Sequence, residues 1–312
     1  MNQTVLITGG TGVVGKALSE ALLKKGYAVI ILTRNITGKK SFDKLNYAAW
    51  DVKKQTIDLD AVQKADIIIH LAGAGVVEKK WTEAYKKEIE ESRTQSSSLL
   101  VDSLKNNVNK VKTVISSSAI GFYGDDKNKT SPFTENDLAD KSFLGHTCKL
   151  WEESITPVTD LGKRLVILRT GIVLSNTGGA FAEFKKPMRF GVATILGNGR
   201  QMVSWIHIDD LCSMFITAIE NTTFNGVYNA VAPNPVSNKK LMLCLAKQMK
   251  RHFYIPIHVP SIILKLMLGQ RSIEVLKSAT VSCKKILNAG FKFQYKSIDP
   301  AVENLITATS RH

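Results

Sequence analysis

The stretch that decides the fold lies at the start of the chain and reads Thr4-Val5-Leu6-Ile7-Thr8-Gly9-Gly10-Thr11-Gly12-Val13-Val14-Gly15. Its apolar part predicts a short buried strand over Thr4–Thr8, and apolar residues at helical spacing predict a helix over Val14–Lys25. A glycine loop between a strand and a helix is the setting that the dinucleotide-binding fingerprint requires. We therefore expect a nucleotide to bind at this loop.

Each glycine of the fingerprint has a separate predicted role. Gly9 permits the tight turn, Gly12 lets the backbone approach a pyrophosphate, and Gly15 allows close packing of the helix on the strand. The free N–H groups and the positive dipole end of the helix favour a phosphate there. We expect cofactor contacts along the whole loop, from Thr8, Gly9, Gly10, Thr11, Gly12, Val13, Val14 and Gly15.

The end of the second predicted strand, Ala28–Thr33, indicates which dinucleotide binds. An acidic residue at this point would bind the ribose 2′-hydroxyl of NAD, but the chain reads Thr33-Arg34. Arg34 can pair with a 2′-phosphate, and Thr33 can donate a hydrogen bond to it. This favours NADP over NAD. Asp51 follows the third strand and is expected to accept a hydrogen bond from the adenine amino group.

Strand and helix signals alternate through the first half of the chain, which implies a parallel sheet covered on both faces. The fourth predicted strand ends at Leu71, and the small residues that follow let the backbone lie against a cofactor ribose. We therefore expect cofactor contacts from Leu71, Ala72, Gly73 and Ala74. After Gly171 the alternation loosens. We expect an α/β fold, a Rossmann-type doubly wound parallel sheet. Residues 1–171 would form the NADP-binding core, and 172–312 would add a strand or strands to the sheet and a small, mostly helical substrate-side subdomain.

Composition narrows the functional classes. The 312 residues carry a formal net charge of +15, with the lysines spread along the chain. This pattern indicates a solvated basic surface and argues against nucleic-acid binding. The four cysteines lack the spacing of a metal site or a disulfide framework, so we expect no metal and a reducing cytoplasm. No apolar run reaches the roughly 18 residues of a membrane span, and no signal-peptide pattern opens the chain.

The glycine loop and the strand ends described above resemble those of the extended short-chain dehydrogenase/reductases. They are closer still to the atypical sugar-nucleotide-epimerase-like branch with a C-terminal domain of unknown function. The resemblance covers essentially the whole chain, and it implies a Rossmann fold, NADP(H) and oxidoreductase or epimerase-like chemistry. The matching features are Trp50-Asp51, Ala72–Gly75, Ser92-Arg93, Ser116–Gly124, Phe143-Leu144 with Cys148, Trp151 and Glu152, Arg169-Thr170-Gly171, and Ser204–Asp210.

The family's chemistry uses a tyrosine as acid and base, a lysine four residues later that lowers the tyrosine pKa and holds the nicotinamide ribose, and a serine that polarises the substrate oxygen. Ser118 stands at or near the serine position. The expected helix has no Tyr-x-x-x-Lys. In two possible alignments, the tyrosine and lysine positions hold Leu144 with Cys148, or Gly145 with Lys149. The resemblance therefore implies non-standard catalytic residues.

We predict Ser118 and Tyr123 as the catalytic residues: Ser118 would orient the substrate oxygen, and Tyr123 would supply the proton. A packing role for Tyr123 stays open as the alternative. Lys149 would contact a cofactor ribose, while Arg189 and Arg200 can bind an anionic or nucleotide-linked small-molecule substrate. An NADP(H)-dependent oxidoreductase or epimerase-like enzyme is favoured over a non-catalytic NADP(H)-binding redox sensor or regulator. A homodimer stays open as the assembly.

Overall fold

The computed structural model describes residues 3–250 and 253–309. Its strands are β1 (Thr4–Thr8), β2 (Ala28–Thr33), β3 (Leu45–Asp51), β4 (Thr56–Ile57), β5 (Ile67–His70), β6 (Thr113–Ala119), β7 (Arg164–Thr170), β8 (Ile172–Leu174), β9 (Val192–Leu196), β10 (Met202–Val203), β11 (Trp205–His207), β12 (Gly226–Ala230), β13 (Val236–Ser237) and β14 (Ile255–Val259). Its α-helices are α1 (Val13–Lys24), α2 (Leu59–Lys64), α3 (Glu83–Asn106), α4 (Phe143–Ile155), α5 (Gly179–Met188), α6 (Ile208–Glu220), α7 (Asn238–Lys250), α8 (Ser261–Leu268), α9 (Ser272–Leu276), α10 (Lys284–Asn288) and α11 (Ile298–Thr309).

Eight strands form the central sheet in the order β12-β7-β6-β5-β1-β2-β3-β4. Neighbouring strands run parallel, except that β3 and β4 are antiparallel. The strand order reverses at β1, because the chain first continues to β2 on one side and later returns to the other side as β5. This confirms the predicted Rossmann-type sheet. In such sheets, ligands bind in the crevice outside the carboxyl ends of the strands at the reversal point.

The sheet buries apolar side chains on both faces. Successive residues of a strand point to opposite faces, so Val5 packs in one cluster with Leu18 of α1. Its neighbour Leu6 packs in a second cluster with Leu100 of α3. Burial on both sides explains why β1 reads as a continuous apolar run instead of an alternating one. The helices on the two faces hold the carboxyl ends of β1 and β5 in a fixed arrangement.

The helices near the predicted nucleotide site begin in two different ways. The side chains of Asp58, Thr82 and Ser142 cap α2, α3 and α4, each by accepting a hydrogen bond from a backbone N–H of the first turn. Helix α1 instead begins after Gly12, with no side-chain cap. Its first N–H groups therefore remain available for a ligand at the carboxyl end of β1.

The region after Gly171 is rich in helices and carries three two-stranded sheets: β8 with β11, β9 with β14, and β10 with β13. It also supplies β12, which pairs with β7 at the edge of the central sheet. A C-terminal segment crosses to the first half of the chain, where Arg271 Nη1 donates to the Val77 carbonyl at 2.7 Å. The segment therefore borders the carboxyl edge of the sheet, while a domain boundary at residue 171 stays a prediction.

Candidate functional site

The glycine loop forms a tight turn from β1 into α1. Gly9 has a φ of 68°, in the left-handed region that favours glycine. The N–H of Gly12 donates to the Gly9 carbonyl at 3.0 Å. A Cβ on Gly15 would lie 2.4 Å from the Gly9 oxygen, so only glycine lets α1 pack this closely on the loop. The loop therefore presents backbone to the crevice, with Thr11 exposed beside it.

The loop that follows β5 is held against the glycine loop by a buried polar cluster. Thr8 Oγ1 accepts hydrogen bonds from the N–H groups of Leu71 and Ala72, at 3.1 and 3.2 Å. The same hydroxyl lies 2.8 Å from His70 Nδ1, and His70 Nε2 lies 3.1 Å from Ser97 Oγ on α3. The predicted cofactor residues Thr8, Leu71 and Ala72 are thus brought together, with Gly73 and Ala74 following directly.

His70 gives this cluster a pH dependence. Burial first, and then the charge of Arg93, lower the pKa of His70 from 6.5 to about 3. Between about pH 3 and pH 6.5, His70 is therefore protonated in the unfolded chain but neutral in the folded chain. The contribution of His70 to stability is complete above pH 6.5 and is lost as the pH falls from 6.5 towards 3.

We expect His70→Gln to flatten the pH dependence of unfolding in urea. From pH 7 to pH 5 the wild-type chain should lose about 2 kcal/mol more of its free energy of unfolding than the variant, because each pH unit below 6.5 costs about 1.4 kcal/mol. Other titrating groups are common to both proteins and cancel in the difference. Parallel curves for the two proteins would mean that His70 is not buried in its neutral form.

The adenosine end of the predicted site lies at the carboxyl ends of β2 and β3, which pair side by side. Thr33 ends β2, and its hydroxyl interacts with the backbone of Asn35. Arg34 is exposed, and its side chain makes no hydrogen bond or ion pair within the described residues. The Asp51 carboxylate accepts hydrogen bonds from the backbone N–H groups of Lys53 and Lys54 in the turn that follows it. The structure therefore brings Thr33, Arg34 and Asp51 to one edge.

Helix α4 carries the residues of both alignments left open by the sequence. Leu144 and Cys148 face the turn after β6, because a Cβ placed on Gly121 would lie 3.5 Å from Leu144 Cβ and 3.7 Å from Cys148 Sγ. Burial raises the pKa of the Cys148 thiol to about 11, which keeps it neutral. Lys149 lies on the exposed face and pairs with Glu153 at 3.7 Å. The structure does not bring Lys149 to the crevice, and its cofactor contact stays a prediction.

Ser118 and Tyr123 are brought together, but inside the core. Ser118 is 2 % exposed and donates to Glu152 Oε1 at 2.6 Å. Tyr123 is fully buried, and its hydroxyl donates to Asn229 Oδ1 at 2.7 Å and accepts from Arg169 Nη1 at 2.9 Å. Arg169 closes the network with two hydrogen bonds of 2.8 Å to Glu152. The catalytic roles of Ser118 and Tyr123 stay predictions, and these contacts favour structural roles for both.

Arg93 is a residue of this site that the predicted set left out. It lies on α3, and its Nη1 donates to the Ala74 carbonyl at 3.1 Å, directly in the loop expected to contact the cofactor. The pair Ser92-Arg93 was visible in the sequence as part of the family resemblance. The position of Arg93 beside Ala74 could not be predicted from the sequence, because α3 and this loop meet only in the folded chain. In the described residues, no group of three or more His, Cys, Asp or Glu is placed to hold a metal ion.

The doubly wound sheet, the uncapped helix after the glycine loop and the second loop at the reversal point define a Rossmann-type protein of the extended short-chain dehydrogenase/reductase class. The family model of the NAD dependent epimerase/dehydratase family matches residues 5–230, and the chain belongs to that family. A second model, a domain of unknown function named DUF1731, matches residues 259–305. No described helix is both long and apolar enough to cross a membrane.

Similar proteins agree with this assignment. The epimerase family protein SAR0825 of Staphylococcus aureus is 36% identical over 313 residues, covering 97% of this chain and 98% of that protein. The epimerase family protein YfhF of Bacillus subtilis is 33% identical, covering 97% of each. The crystal structure of the human epimerase family protein SDR39U1 with NADPH superposes with a TM-score of 0.83 at 24% identity, over 98% of this chain and 99% of that one. The fold is thus shared along the whole chain.

Proposed function

We propose that this protein is an NADP(H)-dependent oxidoreductase or epimerase-like enzyme with non-standard catalytic residues. The observation that carries the proposal is the glycine loop before the uncapped start of α1, beside an exposed Arg34 at the end of β2. The loop suits a pyrophosphate, and the guanidinium suits a 2′-phosphate. The human relative of the same fold was crystallised with NADPH, which supports the choice of NADP(H) for this chain.

The residues present fit this cofactor. Gly9, Gly12 and Gly15 leave room for a pyrophosphate, and the loop from Leu71 to Ala74 borders the other half of the crevice. When bound, NADP(H) would supply hydride exchange, while the chain would hold and orient the two reacting molecules. Since neither alignment of α4 provides a tyrosine, and Cys148 is buried and neutral, we infer that proton transfer relies on other groups.

The substrate would be a small anionic or nucleotide-linked molecule. A cavity of about 790 Å³ is lined by Arg200 and Ser278 of the C-terminal part and by Asp126 and Lys127 of the first half of the chain. Lys127 is paired with Asp125 at 3.2 Å, so we infer that the exposed Arg200 would bind a carboxylate or phosphate group there. An NADPH-oxidation screen tests the enzymatic part: we expect turnover among anionic carbonyl compounds or nucleotide sugars and little with neutral aldehydes. Turnover of neutral aldehydes alone would contradict this substrate class.

Arg34 should set the cofactor preference. We expect NADPH to bind about ten to a hundred times more tightly than NADH, because a charge-assisted hydrogen bond to the 2′-phosphate contributes about 1.5–3 kcal/mol. Arg34→Asp should reverse the order by placing a carboxylate beside that phosphate. The dissociation constants are measured by calorimetry for both cofactors.

The control for the Arg34 variant is Lys64→Gln, which removes one positive charge at the end of α2 and should leave both affinities unchanged. NADH serves as an internal reference, since it lacks the 2′-phosphate. Equal affinities of NADPH and NADH in the native chain would refute the assignment of Arg34.

A further inference from the structure

Arg93 is clamped between the cofactor loop and α4. Its Nη1 donates to the carbonyls of Ala74 at 3.1 Å and Ile89 at 2.8 Å. On one side, a Cβ placed on Gly73 would lie 3.0 Å from the guanidinium carbon. On the other, that carbon lies 5.0 Å from the centre of the Trp151 ring, a cation–π contact. These four neighbours fix both the position and the plane of the guanidinium.

The strand order places Arg93 on the nicotinamide side of the crevice. Arg34 and Asp51 stand at the ends of β2 and β3, on one side of β1, where the adenosine half is expected. Arg93 stands on the other side, beside the loop that follows β5. Because a dinucleotide crosses the crevice with its pyrophosphate at the glycine loop, the nicotinamide half lies over β5 and β6.

The guanidinium has hydrogen-bond donors to spare. Within the described residues its hydrogen bonds use Nη1 alone, although an arginine carries five N–H donors. Arg93 is partly exposed, and no described carboxylate pairs with it. Its charge also reaches Cys148 of α4, where it opposes the rise in the thiol pKa that burial causes. A partly buried cation with unused donors favours an oxygen-rich ligand in the crevice.

We propose that Arg93 binds the nicotinamide ribose of the cofactor through its Nε–H and Nη2–H groups, and so supplies a cation from α3, since Lys149 of α4 lies on the exposed face of its helix and pairs with Glu153. This inference rests on the proposed NADP(H) binding. It has a consequence for the redox state of the cofactor. The oxidised nicotinamide ring is positively charged and the reduced ring is neutral, so a fixed guanidinium nearby disfavours NADP⁺ relative to NADPH.

The test is the affinity of the full chain for NADPH and NADP⁺, measured by calorimetry at one ionic strength. Arg93→Met should weaken NADPH binding about tenfold or more, since it removes charge-assisted hydrogen bonds. It should also lower the ratio of the NADP⁺ dissociation constant to that of NADPH about threefold or more, because the repulsion of the oxidised ring is lost. Arg93→Lys keeps the charge and should keep the ratio, with weaker binding of both forms.

Lys87→Met is the matched control. It removes one positive charge from an exposed site on the same helix, paired with Glu91 at 3.6 Å, and should change neither affinity. Unchanged NADPH affinity in Arg93→Met would overturn the proposal. So would an equal loss for both forms with the ratio retained, which is the result of a purely structural role. If Arg93→Met does not fold, a changed ratio in Arg93→Lys would overturn it. A native chain that binds neither form would refute the proposed function itself.

Discussion

Gly12→Val is expected to weaken NADPH binding severely while the protein stays folded. Within the described residues, a Cβ on Gly12 would meet only the Gly9 carbonyl oxygen, at 3.3 Å, so the protein itself can accept the side chain with a small adjustment. Gly12 has an extended backbone, with φ −76° and ψ 177°, which valine adopts without strain. The space that the side chain enters is the space where the backbone approaches the pyrophosphate. We expect the affinity to fall about a hundredfold or more, equivalent to about 2.7 kcal/mol.

Gly15→Val provides the contrast for this prediction. There a Cβ would lie 2.4 Å from the Gly9 oxygen and 2.5 Å from Gly10 Cα, so the substitution should lower the thermal midpoint along with binding. Calorimetric titration with NADPH and a melting curve for both variants separate the two effects. A folded Gly12→Val protein with native NADPH affinity would contradict the cofactor site.

The second large effect concerns the buried network around Arg169. Arg169→Met should lower the free energy of unfolding by about 3–5 kcal/mol, the usual cost of removing one partner from a buried ion pair. Arg169 is 4 % exposed and makes two hydrogen bonds of 2.8 Å to Glu152. Its guanidinium carbon also lies 3.4 Å from the centre of the Phe122 ring. Without Arg169, the Glu152 carboxylate keeps, among the residues that the structure describes, only the hydroxyl of Ser118 as a hydrogen-bond partner.

Two further variants, also compared by urea unfolding, test whether the loss comes from the buried ion pair. Glu152→Leu in the Arg169→Met background should recover part of the lost free energy of unfolding, because it removes the buried carboxylate that no longer has its ion-pair partner. Glu153→Gln, which breaks the exposed pair with Lys149 on the same helix, should cost under about 1 kcal/mol. A loss below about 1 kcal/mol for Arg169→Met as well would show that the network contributes little. That outcome would favour the predicted catalytic roles of Ser118 and Tyr123 over structural ones.

The fold could be predicted because its signals are local. The apolar run before Gly9, the spacing of the glycines and the alternation of strands with helices each lie within a few dozen residues. Two-sided burial of parallel strands makes such runs unusually distinct. The small sheets of the C-terminal part carry no comparable signal, since β8 and β11 are short strands that meet only through long-range pairing.

The same distinction between local and long-range signals decides which parts of the site could be predicted. The cofactor loop and Arg34 follow from motifs that are contiguous in sequence. The surroundings of Ser118 do not, because Glu152 and Arg169 converge on it from other elements and draw its hydroxyl into the core. The role of Arg93 was not predicted for the same reason, because its contact with Ala74 joins a helix to a loop 19 residues earlier in the chain. The closeness of Leu144 and Cys148 to Gly121 likewise appears only in the folded chain.

A crystal structure of the chain with NADPH tests the central claim most directly. We predict electron density for one dinucleotide per chain, with its pyrophosphate on the first N–H groups of α1 and its 2′-phosphate within hydrogen-bonding distance of Arg34. The nicotinamide ribose should lie beside Gly73 and Ala74, within reach of Arg93. A nucleotide bound away from the glycine loop, or with its 2′-phosphate turned away from Arg34, would contradict the account.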